Sequence, residues 1–322
     1  MARDRGPVVT ALEDRLAGYL AMRRALGYKL ARAEKLLTHF IAWITERGEQ
    51  TITTASALAW ATLPEATGSN WHAHRLSVVR GFAAHVHALD PAHELVAQDL
   101  LPQRPRRAVP YLYSDAEIRA LMGASSVIPT PHRAATMRAL IGLLAVTGMR
   151  VGEAIRLDRG DIDRQRDVLS VVESKFGKSR ELAVDATTTA ALRAYLRRGD
   201  RPVPTEPTAA VFTSAVGTRL TYCNVHLAFK RIVAHAGLTA RSTVCRPRPH
   251  DIRHTFAVNT LLDAYRDDKA DSDGEHIQTR IALLCTYLGH VNPGSTYWYL
   301  QAAPELLALA AGRLELAEEG AR

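Results

Sequence analysis

The 322-residue sequence is poor in several features that would place it in familiar classes of protein. It has three cysteines, an odd number spread far apart, which argues against a disulfide framework and for a reducing compartment. No stretch approaches the roughly 18 apolar residues of a membrane helix, and the first residues, MARDRGPVVT, lack the pattern of a signal peptide. We therefore expect a cytoplasmic protein without a membrane partner.

Lysine is also scarce, because the 41 basic residues comprise 35 arginines and 6 lysines. With 33 acidic residues the net charge is +8, which favours a polyanionic partner such as nucleic acid. A GC-rich genome would produce the same arginine bias, so composition alone leaves both explanations open. Because lysine is scarce, a lysine at a position that could perform chemistry is less easily explained by composition alone.

Helical patterns fill the first hundred residues. Thr10 and Glu13 form a capping box that predicts the start of a first helix, and Gly48 predicts the end of a second. A segment with three prolines and three arginines follows at residues 101–112 and predicts a basic linker. Such a linker is either a solvated connection or a contact with a phosphate backbone.

After the linker, the pattern predicts a mostly helical second part with one small sheet. Ser114 and Glu117 form a capping box at its first helix, and a long helix is expected over residues 132–146. The stretch DVLSVVESKFGKSRELAVD then switches to strand character around a turn at residues 176–178, which predicts a β-hairpin. Apolar helices resume after it.

Five short pieces of this second part carry residues that could perform chemistry. Arg150 and Glu153 in TGMRVGEAIRL also fit an ordinary ion pair on a helix surface. Lys175 lies just before the predicted turn, where most lysines are solvated but a flexible ammonium could reach a phosphate or donate a proton. Each of these two pieces has a structural explanation when it is taken alone.

The third piece, PRPHDIRHTF, places His250, Arg253 and His254 at positions i, i+3 and i+4. One face of a helix could therefore present two imidazoles and a guanidinium. In a chain with 13 histidines and 41 basic residues such pairs also arise by chance, so this motif alone is weak.

The last two pieces lie near the end of the chain. His290 follows a glycine in YLGH, at the end of an apolar helix, and Tyr299 comes nine residues later with Tyr297 two residues before it. Residues i and i+2 of a helix face apart, so at most one tyrosine points into a shared site. Alone, a tyrosine here is better explained by core packing.

In order and spacing, these pieces together resemble the tyrosine recombinases, the phage-integrase family. The matching residues are Arg150, Lys175, His250, Arg253, His290 and Tyr299. The resemblance covers the whole chain, and its strongest matches are TGMRVGE, HDIRHTFA and YLGH with a tyrosine nine residues on. It implies a mainly α protein with a helical, SAM-like core-binding DNA-binding domain at 1–103, a basic linker at 104–112 and a catalytic domain at 113–322 that carries a small antiparallel β-sheet.

By this resemblance, Tyr299 is the nucleophile that attacks a DNA phosphate, which forms a 3′-phosphotyrosine and frees a 5′-hydroxyl. Tyr297 is the rival nucleophile. Arg150 and Arg253 clamp the non-bridging oxygens, and His290 adds a further hydrogen bond. The phosphotyrosine keeps the energy of the broken bond, so neither ATP nor a metal or other cofactor is implied.

The same resemblance assigns the proton transfers. His250 is the candidate acceptor of the tyrosine proton, and Lys175 is the candidate donor to the leaving 5′-oxygen. Glu153 matches the acidic position of the family and is expected to orient Arg150 or His250. Trp298 is expected to pack beside the nucleophile.

The implied partners are double-stranded DNA with specific recombination sites and further copies of the chain, as a tetramer when two sites are paired. Accessory or partner recombinases belong to the same expectation, as does a place with the nucleoid in the bacterial cytoplasm. The STYWYL ending and the acidic segment at residues 265–276 resemble recombinases of bacterial mobile elements, which implies integration and excision or transposition. The amphipathic tail after Tyr299 would pack on its own domain or on a neighbouring protomer.

Two alternatives stay open at this point. A type IB topoisomerase would use similar chemistry without pairing two sites, but the integrase-like motifs argue against it. A non-catalytic DNA-binding protein of the same fold is the other, and the filled catalytic positions argue against that. A zinc site built on Cys223 and His226 is rejected because no paired C-x-x-C exists and the histidines have a better explanation.

Overall fold

The computed structural model describes the chain in segments: residues 7–64, 68–102, 109–172, 179–202, 209–267 and 275–290, together with 292, 294, 297, 299, 305–309 and 311. The chain forms two compact units, Met1–Arg107 and Ala108–Arg322. The division lies within the predicted linker at 104–112, of which residues 104–108 lie outside the described part.

Four helices build the described part of the first unit: α1 (Pro7–Ala25), α2 (Ala31–Glu46), α3 (Thr54–Thr62) and α4 (Ser69–Leu89). Their apolar faces meet in a core that includes the fully buried Phe40, Trp60 and Phe82. Arg75 of α4 enters this core. Its Cζ atom lies 3.7 Å from the centroid of the Trp60 ring, and its Nη2 donates to the Trp60 carbonyl at 2.6 Å.

Two predicted helix boundaries in this unit have different outcomes. Gly48 follows α2 with a φ of 72°, a left-handed conformation that glycine adopts without strain, so the predicted helix end is confirmed. The predicted start at Thr10 is wrong, because α1 begins at Pro7 and Thr10 lies inside it. Proline is favoured in the first helical turn, which explains the earlier start.

The described part of the second unit contains a sheet and the remaining helices. These are α5 (Asp115–Ala124), α6 (Pro131–Thr147), α7 (Val151–Arg156), β1 (Ile162–Asp163), β2 (Val168–Val171), β3 (Arg180–Ala183), α8 (Ala186–Leu196), α9 (Tyr222–His235), α10 (Asp251–Asp267) and α11 (Glu275–Leu288). Short 3₁₀ turns lie at Ser125–Val127 and Arg159–Asp161. Nowhere in the described chain is a helix both long and apolar enough to span a membrane.

The three strands form one antiparallel sheet in the order β1-β2-β3. β2 and β3 are the predicted hairpin, with Leu169 opposite Leu182 and both side chains fully buried. Its turn at 173–178, and Lys175 with it, lies outside the described residues. The predicted fold class, mainly helical with a small antiparallel sheet, is confirmed.

Helix α6 runs through the core of this unit and leads the chain to the candidate site. Leu140 and Leu144 are buried along it, and it packs against α10. Gly148 ends α6 with a φ of 57°, and a side chain at this position would also collide with the Phe256 ring. Only glycine therefore allows the close packing that brings Arg150 to the start of α10.

Candidate active site

Glu153, in the first turn of α7, is a buried carboxylate held by two arginines. It accepts hydrogen bonds from the backbone N–H of Arg150 at 2.9 Å and from Arg150 Nη1 at 2.8 Å. Arg180 of β3 donates to the same carboxylate through Nη2 at 2.9 Å and Nη1 at 3.3 Å. Burial raises the pKa of Glu153, but the hydrogen bonds and charges of Arg180 and Arg150 outweigh it and bring the pKa to about 2. Glu153 is therefore ionised and fixes the orientation of Arg150.

Arg253 lies in the first turn of α10 and is 2% exposed. Its guanidinium donates from Nη1 to the Gly148 carbonyl at 2.8 Å and from Nη2 to the Leu288 carbonyl at 2.7 Å. It thus ties the end of α6 to the end of α11. Burial and the nearby charge of Arg150 lower the pKa of Arg253 to about 10, so it stays protonated at neutral pH.

Arg150 and Arg253 bring two positive charges close together. The charge of Arg150 lowers the pKa of Arg253, and the opposite charge of Glu153 acts against that effect. An anion bound by both guanidinium forks would relieve this repulsion and accept several charge-assisted hydrogen bonds. A phosphodiester, with two non-bridging oxygens, meets that requirement.

His290 follows Gly289, the glycine that ends α11 with a φ of 66°. Its Nε2 lies 3.0 Å from Nη2 of Arg253. Because a guanidinium only donates, Nε2 is the acceptor here and the imidazole is neutral. Burial and then the charges of Arg253 and Arg150 lower the pKa of His290 to about 4.

His250 and His254 flank the start of α10, and their ring centroids lie 4.8 Å apart. Desolvation and the charges of Arg253 and Arg150 lower the pKa of His250 to about 4, although the residue is exposed and water screens part of this shift. Desolvation and then the neighbouring His250 lower the pKa of His254 to about 3. The imidazoles near the arginines are therefore neutral at pH 7.

Tyr299 lies against this cluster, whereas Tyr297 faces solvent: the two are 3% and 52% exposed. The Tyr299 ring centroid is 5.5 Å from that of His254 and 6.0 Å from that of His290. Its hydroxyl lies near the Arg253 side chain. Burial raises the pKa of Tyr299, and the arginine charges oppose that rise.

Known proteins share both the sequence and the fold of this chain. The model of the phage integrase family matches residues 112–305, which is more than half of the chain. The chain belongs to the phage integrase family. The integrase/recombinase y4rB of Sinorhizobium fredii is 40% identical over 92% of this chain and 95% of its own length. The tyrosine recombinase XerD of Mycobacterium tuberculosis is 34% identical over 59% of this chain and 60% of its own.

Solved structures show the same fold as this recombinase. The XerH site-specific recombinase bound to a palindromic difH substrate aligns with a TM-score of 0.59 at 17% identity, over 87% of this chain and 78% of its own. The Tn1549 transposon integrase in complex with transposon right-end DNA aligns with a TM-score of 0.57 at 17% identity, over 94% and 99%. The predicted family is confirmed, and the chain is a site-specific recombinase.

The second unit of the recombinase gathers most of the predicted site residues in one place. They are Arg150, Glu153, His250, Arg253, His290 and Tyr299. Lys175 and Trp298 lie outside the described residues. Of the two groups that Glu153 was expected to orient, it holds Arg150 by direct hydrogen bonds.

Two further residues of the site have no role in the predicted mechanism. The sequence places His254 on one helix face with His250 and Arg253, and Arg180 is only one more basic residue beyond the hairpin turn. A signal for Arg180 does exist: residues two apart in a strand share a face, and Leu182 is fully buried. An arginine on the buried face of a sheet needs an acidic partner inside the domain, and Glu153 supplies it.

Proposed function

We propose that this recombinase cleaves DNA by attack of the Tyr299 hydroxyl on a scissile phosphate held by Arg150 and Arg253. The observation that carries the proposal is the burial of Tyr299 against Arg253, beside a second arginine whose charge an anion would offset. The bond from the tyrosine oxygen to phosphorus forms as the bond from phosphorus to the 5′-oxygen breaks. A 3′-phosphotyrosine and a 5′-hydroxyl result, and attack by a 5′-hydroxyl of another strand reverses the step and rejoins the DNA.

The proton of Tyr299 passes to His250 in this proposal. Desolvation, and then the charges of Arg253 and Arg150, hold the pKa of His250 at about 4, which makes it a weak base. A bound phosphate cancels part of that positive charge and raises the pKa. Phosphate binding therefore increases the basicity of His250, which couples proton transfer to substrate binding.

Two further groups complete the proposed chemistry. Lys175 protonates the leaving 5′-oxygen, and His290 donates a hydrogen bond to a non-bridging oxygen. Nε2 of His290 accepts from Arg253 in the structure, so this donation requires a proton on Nε2 once the phosphate is bound. The phosphate charge favours that change for the same reason as at His250.

We propose double-stranded DNA with specific sites as the substrate and a tetramer of the chain as the recombining assembly. The net charge of +8 supports a phosphate-rich partner. Lambda integrase, which shares the fold with a TM-score of 0.53, has been determined as a tetramer bound to a Holliday junction. Residues 1–103 are proposed as the core-binding domain and 113–322 as the catalytic domain, acting with the nucleoid in the bacterial cytoplasm.

The biological role that we propose is integration and excision or transposition of a mobile element. Support comes from the 40% identity with a protein named as an integrase/recombinase. The fold shared with a transposon integrase fits the same role. Accessory or partner recombinases are part of this proposal.

Covalent trapping tests the proposed nucleophile. Nicked duplexes built from the DNA junctions that flank the gene would be incubated with the wild type, Tyr299→Phe and Tyr297→Phe in EDTA. Nicking near the cleavage point lets the freed 5′-hydroxyl fragment diffuse away, so the covalent complex accumulates. We expect an SDS-resistant protein–DNA adduct with the wild type and Tyr297→Phe and none with Tyr299→Phe.

The same assay separates the alternatives. Loss of the adduct only in Tyr297→Phe would show that the exposed tyrosine is the nucleophile. Specific binding without any adduct would favour a non-catalytic DNA-binding protein. Relaxation of supercoiled plasmids that lack the flanking junctions would favour a topoisomerase.

A further inference from the structure

The end of α11 is held by three arginines from three different parts of the second unit. Its last carbonyls accept as follows: Tyr287 from Arg180 Nε at 2.7 Å, Leu288 from Arg253 Nη2 at 2.7 Å, and Gly289 from Arg150 Nη2 at 3.4 Å. The last carbonyls of a helix have no partner within the helix and carry the negative end of its dipole, so cations bind there favourably. Since His290 is the next residue, these contacts determine where its imidazole lies.

Arg180, like Arg150, donates both to Glu153 and to a carbonyl at the end of α11, but it does so from strand β3. Its Nε donates to the Tyr287 carbonyl, while Nη1 and Nη2 donate to the two oxygens of Glu153. Glu153 in turn holds both the backbone and the guanidinium of Arg150. One half-buried side chain thus joins the group that orients Arg150 to the helix end that presents His290.

We propose that Arg180 is a positioning residue for DNA cleavage. It holds Glu153 and the end of α11 in one arrangement, so that Arg150 and His290 face the same phosphate. This inference rests on the phosphate-binding roles proposed above for those two residues. Arg180 acts through them and is not itself assigned a contact with DNA.

The local geometry is specific for arginine and for its glycine neighbour. A guanidinium is planar and donates in three directions, whereas the ammonium of lysine cannot reach a carboxylate and a carbonyl with the same geometry. Gly289 packs over this group, because a Cβ there would lie 3.0 Å from Nη1 of Arg180. The positive φ of Gly289 and the guanidinium beneath it therefore belong to one arrangement.

Replacing Arg180 is expected to slow cleavage without weakening the bulk of DNA binding. Arg180→Met leaves the Tyr287 carbonyl without this donor and Glu153 with only Arg150. Displacing a catalytic group by about 1 Å can cost around 100-fold in rate, so we expect a loss of about 10- to 100-fold. Arg180→Lys keeps the charge but not the guanidinium fork, and we expect its cleavage rate to lie between those of the wild type and Arg180→Met.

Single-turnover cleavage at saturating DNA, together with the dissociation constant for the same duplex, measures this effect. The matched control is Arg166→Met. Arg166, in the turn before β2, also pairs with a glutamate of β3, Glu181, but that pair is exposed to solvent. For Arg166→Met we expect the cleavage rate and the DNA affinity of the wild type. For both Arg180 variants we expect a reduced cleavage rate, with a DNA affinity within about threefold of wild type.

A second substrate separates positioning from a general loss of structure. In a duplex whose scissile phosphate is a methylphosphonate, the reacting group is uncharged, so the transition state depends less on the arginine clamp. The defect of Arg180→Met should therefore shrink to less than about fivefold on this substrate. A variant that had lost active protein would show the same fold reduction on both substrates.

The outcomes are distinct for this inference and for the proposed function. Wild-type cleavage by Arg180→Met, or an equal defect on both substrates, would overturn the inference. If Arg180→Met does not fold, Arg180→Lys decides in the same way, and a wild-type rate for it would overturn the inference. Absence of cleavage by the wild type and Arg166→Met would instead contradict the proposed function itself.

Discussion

Each of the two units buries an arginine, and their surroundings differ in kind. In the first unit Arg75 is 6% exposed, lies over the Trp60 ring and donates to the Trp60 carbonyl. In the second unit Arg253 joins two helix ends through the carbonyls of Gly148 and Leu288. Arg75 is packed into a hydrophobic core, whereas Arg253 is packed into a cluster of other titratable groups.

The difference shows which kind of buried charge indicates a binding site. Desolvation lowers the pKa of both guanidinium groups, so burial alone does not separate a structural arginine from a functional one. At Arg253 the like charge of Arg150 lowers the pKa further. Clustered like charges cost stability, and such a cluster is explained when an anionic ligand offsets them.

The largest effect is expected from Arg253→Lys. Lysine keeps one positive charge but loses the bidentate fork, and removal of one preorganised donor to transition-state charge typically costs about 10²–10³ in rate. We expect a cleavage rate reduced by that factor and a DNA affinity within about threefold of wild type, because most DNA contacts lie elsewhere. Single-turnover kinetics with an anisotropy titration would measure both, and a rate within tenfold of wild type would contradict the assigned role.

Arg75→Met should show the opposite pattern: it lowers the stability of the protein and leaves the rate of DNA cleavage unchanged. The variant loses the contact with the Trp60 ring and leaves the Trp60 carbonyl with the long hydrogen bond from the Leu63 N–H at 3.4 Å, which together cost about 2–3 kcal/mol in the free energy of unfolding. Urea denaturation followed by tryptophan fluorescence reports mainly this unit, because three of the four tryptophans, Trp43, Trp60 and Trp71, lie in it.

An exposed arginine of the same unit provides the control for Arg75. Arg24 forms an ion pair with Glu34 in which both side chains are exposed, and such pairs contribute little to stability. Arg24→Met should unfold like the wild type. Equal midpoints for Arg24→Met and Arg75→Met would show that the core contact of Arg75 is not stabilising.

Sequence patterns predicted some of these features because they depend on short-range spacing. The capping box at Ser114 and Glu117 is found as expected, since both residues lie within one helical turn. The opposite burial of Tyr297 and Tyr299 follows the expectation that residues i and i+2 of a helix face apart.

The contacts that build the site depend instead on tertiary packing, which no local pattern encodes. Arg180 meets Tyr287 across 107 positions of sequence, and Arg150 meets Gly289 across 139. Those meetings exist only because β3 packs on α11 and α7 lies near its end. The motif spacing could select the residues that contact phosphate by family resemblance, but not the side chain that holds them in place.

The smallest expected effect concerns pH and separates stability from catalysis. The pKa of His290 is about 4 in the folded protein and about 6.5 in an unfolded chain. Between these values the unfolded chain binds a proton that the folded chain does not, so the stabilising contribution is complete above pH 6.5 and is lost as the pH falls toward 4. In the first unit, burial and then the charge of Arg15 also lower the pKa of His93, so its contribution has the same sign.

The catalytic rate of the free enzyme should not fall together with stability. The pKa of His290 in the folded protein is about 4, so its imidazole stays neutral between pH 7.5 and 5.5. We expect the free energy of unfolding to decrease from pH 7.5 to 5.5 while kcat/KM changes by less than about threefold, since kcat/KM reports the pKa values of the free enzyme. An acid limb of kcat/KM centred near pH 6.5 would mean that the site imidazoles titrate as solvated groups. In that case neither burial nor the arginine charges would determine the protonation of these imidazoles. The contrast between Arg75 in its hydrophobic core and Arg253 beside Arg150 would then have no electrostatic basis.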